Sequence, residues 1–174
     1  MHYYQESLFP LSAPQIPKPT YTLSRSALLQ WQGRIRAWQT QVLAELSSYD
    51  FNPFQLPAYP MEFYRSTALA KLGGDACIYF IIDRSAQIIL YIGETSRSHQ
   101  RWQGQHDCKR YLARYCQSCF SQSVPVQITS SFWWYTSRAR VDRQAQESRL
   151  IHRWKSPFNQ ENWQVWQTPF VSMP

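Results

Sequence analysis

Two apolar runs separated by a short polar break constrain the fold of this chain most. Residues 77–82 read Cys-Ile-Tyr-Phe-Ile-Ile and residues 88–93 read Ile-Ile-Leu-Tyr-Ile-Gly, and polar residues such as Asp83 and Arg84 open the break. Runs of this length, rich in β-branched and aromatic residues, are typical of strands, and the short connection is typical of a hairpin. The sequence therefore predicts two antiparallel strands.

The elements after the hairpin predict the fold class. Residues 97–119 have a helical composition, which we interpret as two helices broken near residues 104–107, and residues 124–136 predict a third strand. Residues 138–154 predict a helix that ends before Pro157. The apolar residues of this last helix are Val141, Ala145, Leu150 and Ile151. We predict an α+β fold with a small three-stranded antiparallel sheet flanked by helices.

The first 72 residues predict an extension. Four prolines among the first twenty residues exclude a helix there, whereas apolar residues recur at intervals of three and four from Ser24 to about Ser48 and predict one amphipathic helix. A second proline-rich stretch leads to Gly73-Gly74, where we place the boundary. We expect a proline-rich arm and helical extension in residues 1–72, packed on the domain or reaching to DNA. Residues 73–174 form the main domain with an aromatic tail.

The charge of the chain favours an anionic partner. Eighteen Lys and Arg residues outnumber eleven Asp and Glu residues, for a formal charge of +7, so nucleic acid, a membrane surface or an acidic protein would be attracted. No run approaches the roughly 20 apolar residues of a membrane span, and residues 1–6 lack the order of a secretory signal. We expect a cytoplasmic protein with no membrane partner, and the oligomeric state stays open.

Five short features together resemble one enzyme family. The half-motifs Cys77-Ile78-Tyr79 and Tyr91-Ile92-Gly93 resemble the pair that names the GIY-YIG nuclease family, with Cys77 at the first glycine. Arg101 lies ten residues after Tyr91, where the family has its helix arginine. Glu147 lies in the last predicted helix, which is followed by Asn159, and this segment is similar to the metal-ligand segment of the family. The resemblance covers about half of the chain.

The resemblance implies a metal-dependent endonuclease that hydrolyses phosphodiester bonds in DNA with one Mg²⁺ or Mn²⁺. Glu147 would bind the metal, because a hard cation that keeps several waters needs only one or two protein oxygens. Arg101 would contact the scissile phosphate through its forked guanidinium. Tyr79 would relay the proton of the attacking water, and His106 would share that work, although Gln105 holds the family position of the histidine. The predicted catalytic residues are Tyr79, Tyr91, Arg101, His106 and Glu147, with Asn159 and Gly93 in support.

Basic residues on the helices supply candidate contacts with the phosphate backbone. Such contacts give affinity but no sequence choice. The principal candidates are Lys109, Arg110 and Arg143, and the further ones are Arg114, Arg138 and Arg140.

Several alternatives stay open. The fold could carry a catalytically inactive nucleic-acid-binding module, which Cys77 and the shifted histidine favour, or a protein-interaction domain built on the aromatic tail. Tyr79 and Tyr91 could be ordinary cross-strand packing residues, and Glu147 could pair with Arg143. A zinc site or free thiols would account for His106, Cys108, Cys116 and Cys119.

Overall fold

The strands form one antiparallel sheet, which confirms the predicted α+β class. The computed structural model describes residues 23–48, 50–61, 76–96 and 107–171. The strands are β1 (Tyr59–Pro60), β2 (Cys77–Asp83), β3 (Ile88–Thr95) and β4 (Ile128–Trp133), in the order β1-β4-β2-β3. The described part of the chain therefore has four strands rather than the three expected. Its α-helices are α1 (Arg25–Ala44), α2 (Asp107–Ser121), α3 (Arg140–Trp154) and α4 (Trp163–Trp166).

The additional strand β1 comes from the proline-rich stretch before the predicted boundary. Tyr59 pairs with Ser130 and Pro60 pairs with Thr129 at the outer edge of β4. Proline is tolerated at a sheet edge because its missing N–H leaves no ladder bond unmade there. A strand of two residues is too short to show an alternating apolar pattern, so the sequence did not predict it.

The predicted hairpin is confirmed, and it forms the centre of the fold. Strands β2 and β3 pair antiparallel from Cys77 opposite Thr95 to Asp83 opposite Ile88, and residues 84–87 connect them. All seven residues of β2 are buried, because the strand lies between two neighbours and between two apolar layers. The continuous apolar run of this strand follows from that position.

Helix α1 lies beside the edge strand β3 and contributes to both apolar layers. Its Leu28, Trp31 and Ile35 belong to the layer that also contains α2 and the C-terminal aromatic residues, whereas Val42 belongs to the layer under α3. Ser24 caps the helix by accepting a hydrogen bond from the Ala27 N–H, at 3.2 Å. The predicted helix therefore packs on the main domain. The predicted boundary at Gly73-Gly74 lies outside the described residues.

Side chains and backbone from other elements cover the outer edge of β3. The Gln39 amide donates to the Ile89 carbonyl at 3.0 Å and accepts from the Ile89 N–H at 2.7 Å. The Phe158 N–H donates to the Leu90 carbonyl at 2.9 Å. Unpaired backbone groups at a sheet edge invite pairing with other chains, so these contacts close the sheet against such pairing.

The first half of α3 departs from the expected apolar pattern. Ile151 and Trp154 are buried as the sequence predicts, but Val141 and Ala145 are exposed while Arg143 is buried. The helix begins beyond the apolar part of the sheet, where it meets a charged residue of β3 rather than an apolar one.

No helix in the described ranges is long and apolar enough to cross a membrane.

Candidate active site

The first half-motif places Tyr79 under the second. Tyr79 lies opposite Gly93 in the β2–β3 ladder and is fully buried. A Cβ atom built on Gly93 would overlap the hydroxyl and ring of Tyr79. Glycine is therefore required at position 93 because the Tyr79 ring crosses the strand there, and this close approach gives the predicted supporting role of Gly93 a packing basis.

A β-bulge brings Tyr91 to the same face of the sheet as Tyr79. Ile81 pairs with Tyr91 while Ile82 pairs with Ile89, so Leu90 is the extra residue of β3. If alternation continued from Ile89 through Leu90 without a bulge, Tyr91 would lie on the opposite face. The two tyrosine rings lie 6.0 Å apart at an interplanar angle of 35°. Tyr91 is partly exposed, so it reaches the surface while Tyr79 supports it from below.

Two further predicted residues hold the backbone beside Tyr91. The Asn159 amide accepts from the Ile92 N–H at 3.0 Å and donates to the Ile92 carbonyl at 2.8 Å. Glu147 Oε1 accepts from the Glu94 N–H at 2.9 Å. Helix α3 and the turn that follows it therefore dock onto β3 through the side chains that the resemblance singles out.

Tyr91, Glu147 and Asn159 line one cavity of about 440 Å³ at the edge of the sheet. Its aromatic wall comes from α2 and the C-terminal segment, and three carboxylates line it, while no lysine, arginine or histidine is among its described lining residues. Tyr79 does not line it. The lining residues are Tyr91, Asp107, Cys108, Tyr111, Glu147, Ser148, Ile151, Phe158, Asn159, Gln160, Glu161 and Trp163.

The chemistry of this lining suits a hard cation better than an anion. Glu147, Asp107 and Glu161 are the acidic residues of the lining, of which Asp107 pairs with Arg110, and Gln160 adds an amide group. In the part of the chain that is described, no three acidic, histidine or cysteine side chains are grouped to hold a metal together. A cation held by one carboxylate and several waters, as Mg²⁺ commonly is, fits such a lining.

Arg143 does not contact solvent, which corrects its predicted role in binding nucleic acid. Its side chain is 1% exposed and pairs with Glu94 through Nε at 3.2 Å and through Nη2 at 3.1 Å. Nη1 donates to the carbonyl groups of Ser137 and Arg138, and Nη2 also donates to Ser96 Oγ. A guanidinium whose donors are all directed into the protein is a structural ion-pair partner and is unsuited to a phosphate contact.

Glu94 is the important residue that sequence reasoning missed. Its carboxylate binds Arg143 and lies 3.6 Å from the Nε atom of Arg140, while its backbone N–H donates to Glu147. A charged residue at the end of an otherwise apolar strand was the signal that could have revealed it, because burial of a charge requires a partner.

Three of the other predicted phosphate contacts, Lys109, Arg110 and Arg114, lie on α2, whereas Arg138 precedes α3 and Arg140 is its first residue. Arg110 pairs with Asp107 at 3.0 Å in the first turn of the helix, and Asp107 itself lines the cavity. Lys109 is partly buried beside it. Their contact with nucleic acid stays a prediction. The predicted roles of Arg101 and His106 fall on residues outside the described ranges.

The cysteines of the predicted zinc alternative are buried thiols. Cys108, Cys116 and Cys119 are free, and burial raises the pKa of Cys116 and of Cys119 to about 12. Burial also raises the pKa of Cys108 well above its usual value. A bound zinc ion would itself deprotonate its thiol ligands, so geometry is the relevant test: among the described residues no three His, Cys, Asp or Glu side chains are grouped to hold a metal.

Comparison of the chain with protein-family models, with curated proteins and with solved structures finds no match. The functional assignment therefore depends on the residues and on their geometry.

Proposed function

We propose that the protein is a metal-dependent endonuclease of the GIY-YIG type that hydrolyses phosphodiester bonds in DNA. The observation that carries the proposal is the convergence of Tyr91, Glu147 and Asn159 on one cavity, although they come from a strand, a helix and the turn after that helix. A motif match by chance gives no reason for residues so far apart in sequence to meet. The β2–β3 hairpin followed by α2, β4 and α3 also supports this fold type.

Each residue has a role that follows from its position. Glu147 would hold one Mg²⁺ or Mn²⁺ in the cavity, and its bond from the Glu94 N–H fixes the carboxylate in place. Such a metal ion supplies charge neutralisation on the phosphate and a more acidic bound water. Asn159 holds the strand beside Tyr91, and Arg101 and His106 complete the predicted set.

The two tyrosines have different proposed roles. Tyr91 is the phenol that a substrate can reach, whereas Tyr79 is buried below it and positions it through ring packing. We therefore propose Tyr91 as the group beside the attacking water and Tyr79 as a positioning residue. This proposal replaces the expectation that Tyr79 itself relays the proton, because Tyr79 is fully buried and does not line the cavity.

The charge of the cavity favours a metal-dependent enzyme over a metal-free binding module. Three acidic residues are among its described lining residues, of which Asp107 pairs with Arg110, and their charge disfavours a phosphodiester unless a cation lies between them. A module that only binds nucleic acid gains nothing from placing carboxylates at the contact. The acidic lining therefore supports catalysis with a bound cation.

A panel of DNA substrates tests the proposal. Linear, nicked, branched and single-stranded DNA are incubated with the full-length protein and Mg²⁺ or Mn²⁺, with a chelator as the control. We expect metal-dependent cleavage that falls roughly a thousandfold or more in Glu147→Gln, because the metal contributes several kcal/mol to transition-state stabilisation. The glutamine keeps an oxygen for the Glu94 N–H, so the fold should persist.

Glu45→Gln provides the matched control, because Glu45 is exposed and, among the described residues, its side chain bonds only Gln41 in the preceding turn of α1. It should cleave as the wild type does. Full cleavage by Glu147→Gln in Mg²⁺ would refute the one-metal assignment. Metal-independent DNA binding without cleavage of any substrate would favour the inactive binding module instead.

A further inference from the structure

The segment from Tyr135 to Val141, which follows β4 and includes the first two residues of α3, carries the most exposed large apolar side chains of the described residues. Tyr135 is 91% exposed and Val141 is 77% exposed. Arg138 and Arg140 lie between them in sequence and are also exposed, and the Arg140 side chain is 71% exposed. The segment therefore presents one aromatic ring and two cations to solvent.

The backbone of this segment is fixed from below. The buried guanidinium of Arg143 donates to the carbonyl groups of Ser137 and Arg138, at 3.1 and 2.8 Å. Ser137 Oγ in turn accepts from the Ala139 N–H and donates to the Asp142 carboxylate. The exposed side chains therefore project from a backbone that is already ordered, which lowers the entropic cost of binding a ligand.

The segment lies next to the candidate metal ligand. Glu94 connects the two, because its carboxylate contacts Arg140 and Arg143 while its N–H donates to Glu147. Arg140 and Glu147 are also about two turns apart on α3 and therefore share one face of that helix.

We propose that Tyr135, Arg138 and Arg140 form a binding surface for an unpaired nucleic-acid strand, with one base stacked on Tyr135 and adjacent phosphates on the two arginines. The proposal takes its ligand class from the proposed function and adds the strand state and the residues. A ring that projects this far can stack only on a base face that pairing and stacking leave open. The arginines supply the charge complementarity for the phosphates on either side.

Equilibrium binding to labelled oligonucleotides, measured by fluorescence anisotropy in a chelator, tests the surface apart from cleavage. Single-stranded and duplex oligonucleotides of equal length are compared across a salt series. Tyr135→Ala should weaken single-strand binding at least about fivefold, the lower end of the range for loss of one stacked base. Tyr135→Phe should stay within about twofold of the wild type because it keeps the ring. Duplex binding should change less than single-strand binding.

The arginines have a different expected signature. Arg138→Gln and Arg140→Gln should each weaken binding to both kinds of strand and lower the salt slope by roughly 0.7 to 0.9, as expected for one lost phosphate contact. Arg149→Gln and Phe120→Ala are the matched controls, an exposed arginine in the middle of α3 and an exposed aromatic on α2. Both should bind as the wild type does.

The outcomes separate this proposal from the proposed function. Unchanged single-strand affinity in Tyr135→Ala, equal losses in Tyr135→Ala and Tyr135→Phe, or no binding by the wild type would overturn the surface, whatever the cleavage assay shows. Tyr135-dependent binding in a protein that cleaves no substrate would support the surface while refuting the nuclease. A 2-aminopurine base whose fluorescence is quenched by the wild type but not by Tyr135→Ala would support the stacking directly.

Discussion

The two ends of the β2–β3 hairpin both place carboxylates among buried groups, but they do so in different ways. At the turn end, Asp83 Oδ1 accepts from the N–H groups of Ser85, Ala86 and Gln127, and Oδ2 accepts from the Tyr115 hydroxyl at 2.7 Å. Asp83 is fully buried and no cation pairs with it among the described residues. The hydrogen bonds of this carboxylate therefore come from neutral groups, three backbone N–H groups and one hydroxyl.

The open end has cations and a cavity instead. Glu94 pairs with the buried Arg143, and Glu147 bonds one backbone N–H while lining the cavity beside Tyr91. Two properties therefore distinguish a structural carboxylate from a candidate functional one. They are the access of a ligand to the carboxylate and the presence of a cation beside it. Residue type and burial alone do not separate them.

The largest expected effect tests the ion pair at the open end. Arg143→Ala should lower the free energy of unfolding by about 3 to 5 kcal/mol, because it removes the buried partner of the Glu94 carboxylate, whose side chain is only 11% exposed. Urea denaturation followed by tryptophan fluorescence measures the change. Arg140→Ala is the matched control, since Arg140 contacts the same carboxylate from an exposed position and should cost less than about 1 kcal/mol. An equal loss of unfolding free energy in the two variants would show that Arg143 is not the main stabilising partner of Glu94.

The sequence predicted the hairpin because its strands are apolar on both faces and the break between them is short. It also predicted α1 and the second half of α3, where periodic apolar residues meet an apolar layer. It did not predict the burial of Arg143, because a charged residue in a helix gives no local indication that a strand residue such as Glu94 will meet it. The sequence pattern also predicted that Val141 and Ala145 face the apolar core. Both are exposed, because this part of α3 meets Glu94 instead of an apolar layer.

The candidate site was predictable in part. Tyr91, Glu147 and Asn159 were found from the motif, and the structure brings them to one cavity. The bulge at Leu90, which decides the face that Tyr91 occupies, depends on pairing with β2 and leaves no trace in the local sequence. The Asp83 network depends on Tyr115 and Gln127, far along the chain, and no motif marks it.

The second effect tests whether the open end needs glycine for packing. Gly93→Ala should destabilise the protein by about 1 to 3 kcal/mol, because the added methyl group overlaps the Tyr79 ring. Gly33→Ala in α1 is the control of opposite sign. Nothing lies within 4 Å of a Cβ built on Gly33, so alanine should stabilise the helix by about 0.5 to 1 kcal/mol.

A double-mutant cycle assigns the cost at Gly93 to Tyr79. In a Tyr79→Leu background the shorter side chain leaves room, so the cost of Gly93→Ala should shrink. An unchanged cost in that background would contradict the close approach of Tyr79 as the reason for the glycine.

The smallest effect tests the turn end through its pH dependence. Burial raises the pKa of Asp83 above its usual value of 3.8, and its four hydrogen bonds only partly offset this. The folded state therefore binds the proton more tightly than the unfolded state, so this group adds stability as the pH falls through its folded pKa and loses it as the pH rises. The free energy of unfolding of the wild type, relative to Asp83→Asn, should thus increase between pH 7 and pH 4. Asp50→Asn should give the opposite sign, because hydrogen bonds from Ser47 lower the pKa of the exposed Asp50. A parallel pH dependence in the wild type and in Asp83→Asn would mean that solvent reaches Asp83, and the contrast between the two ends of the hairpin would then fail.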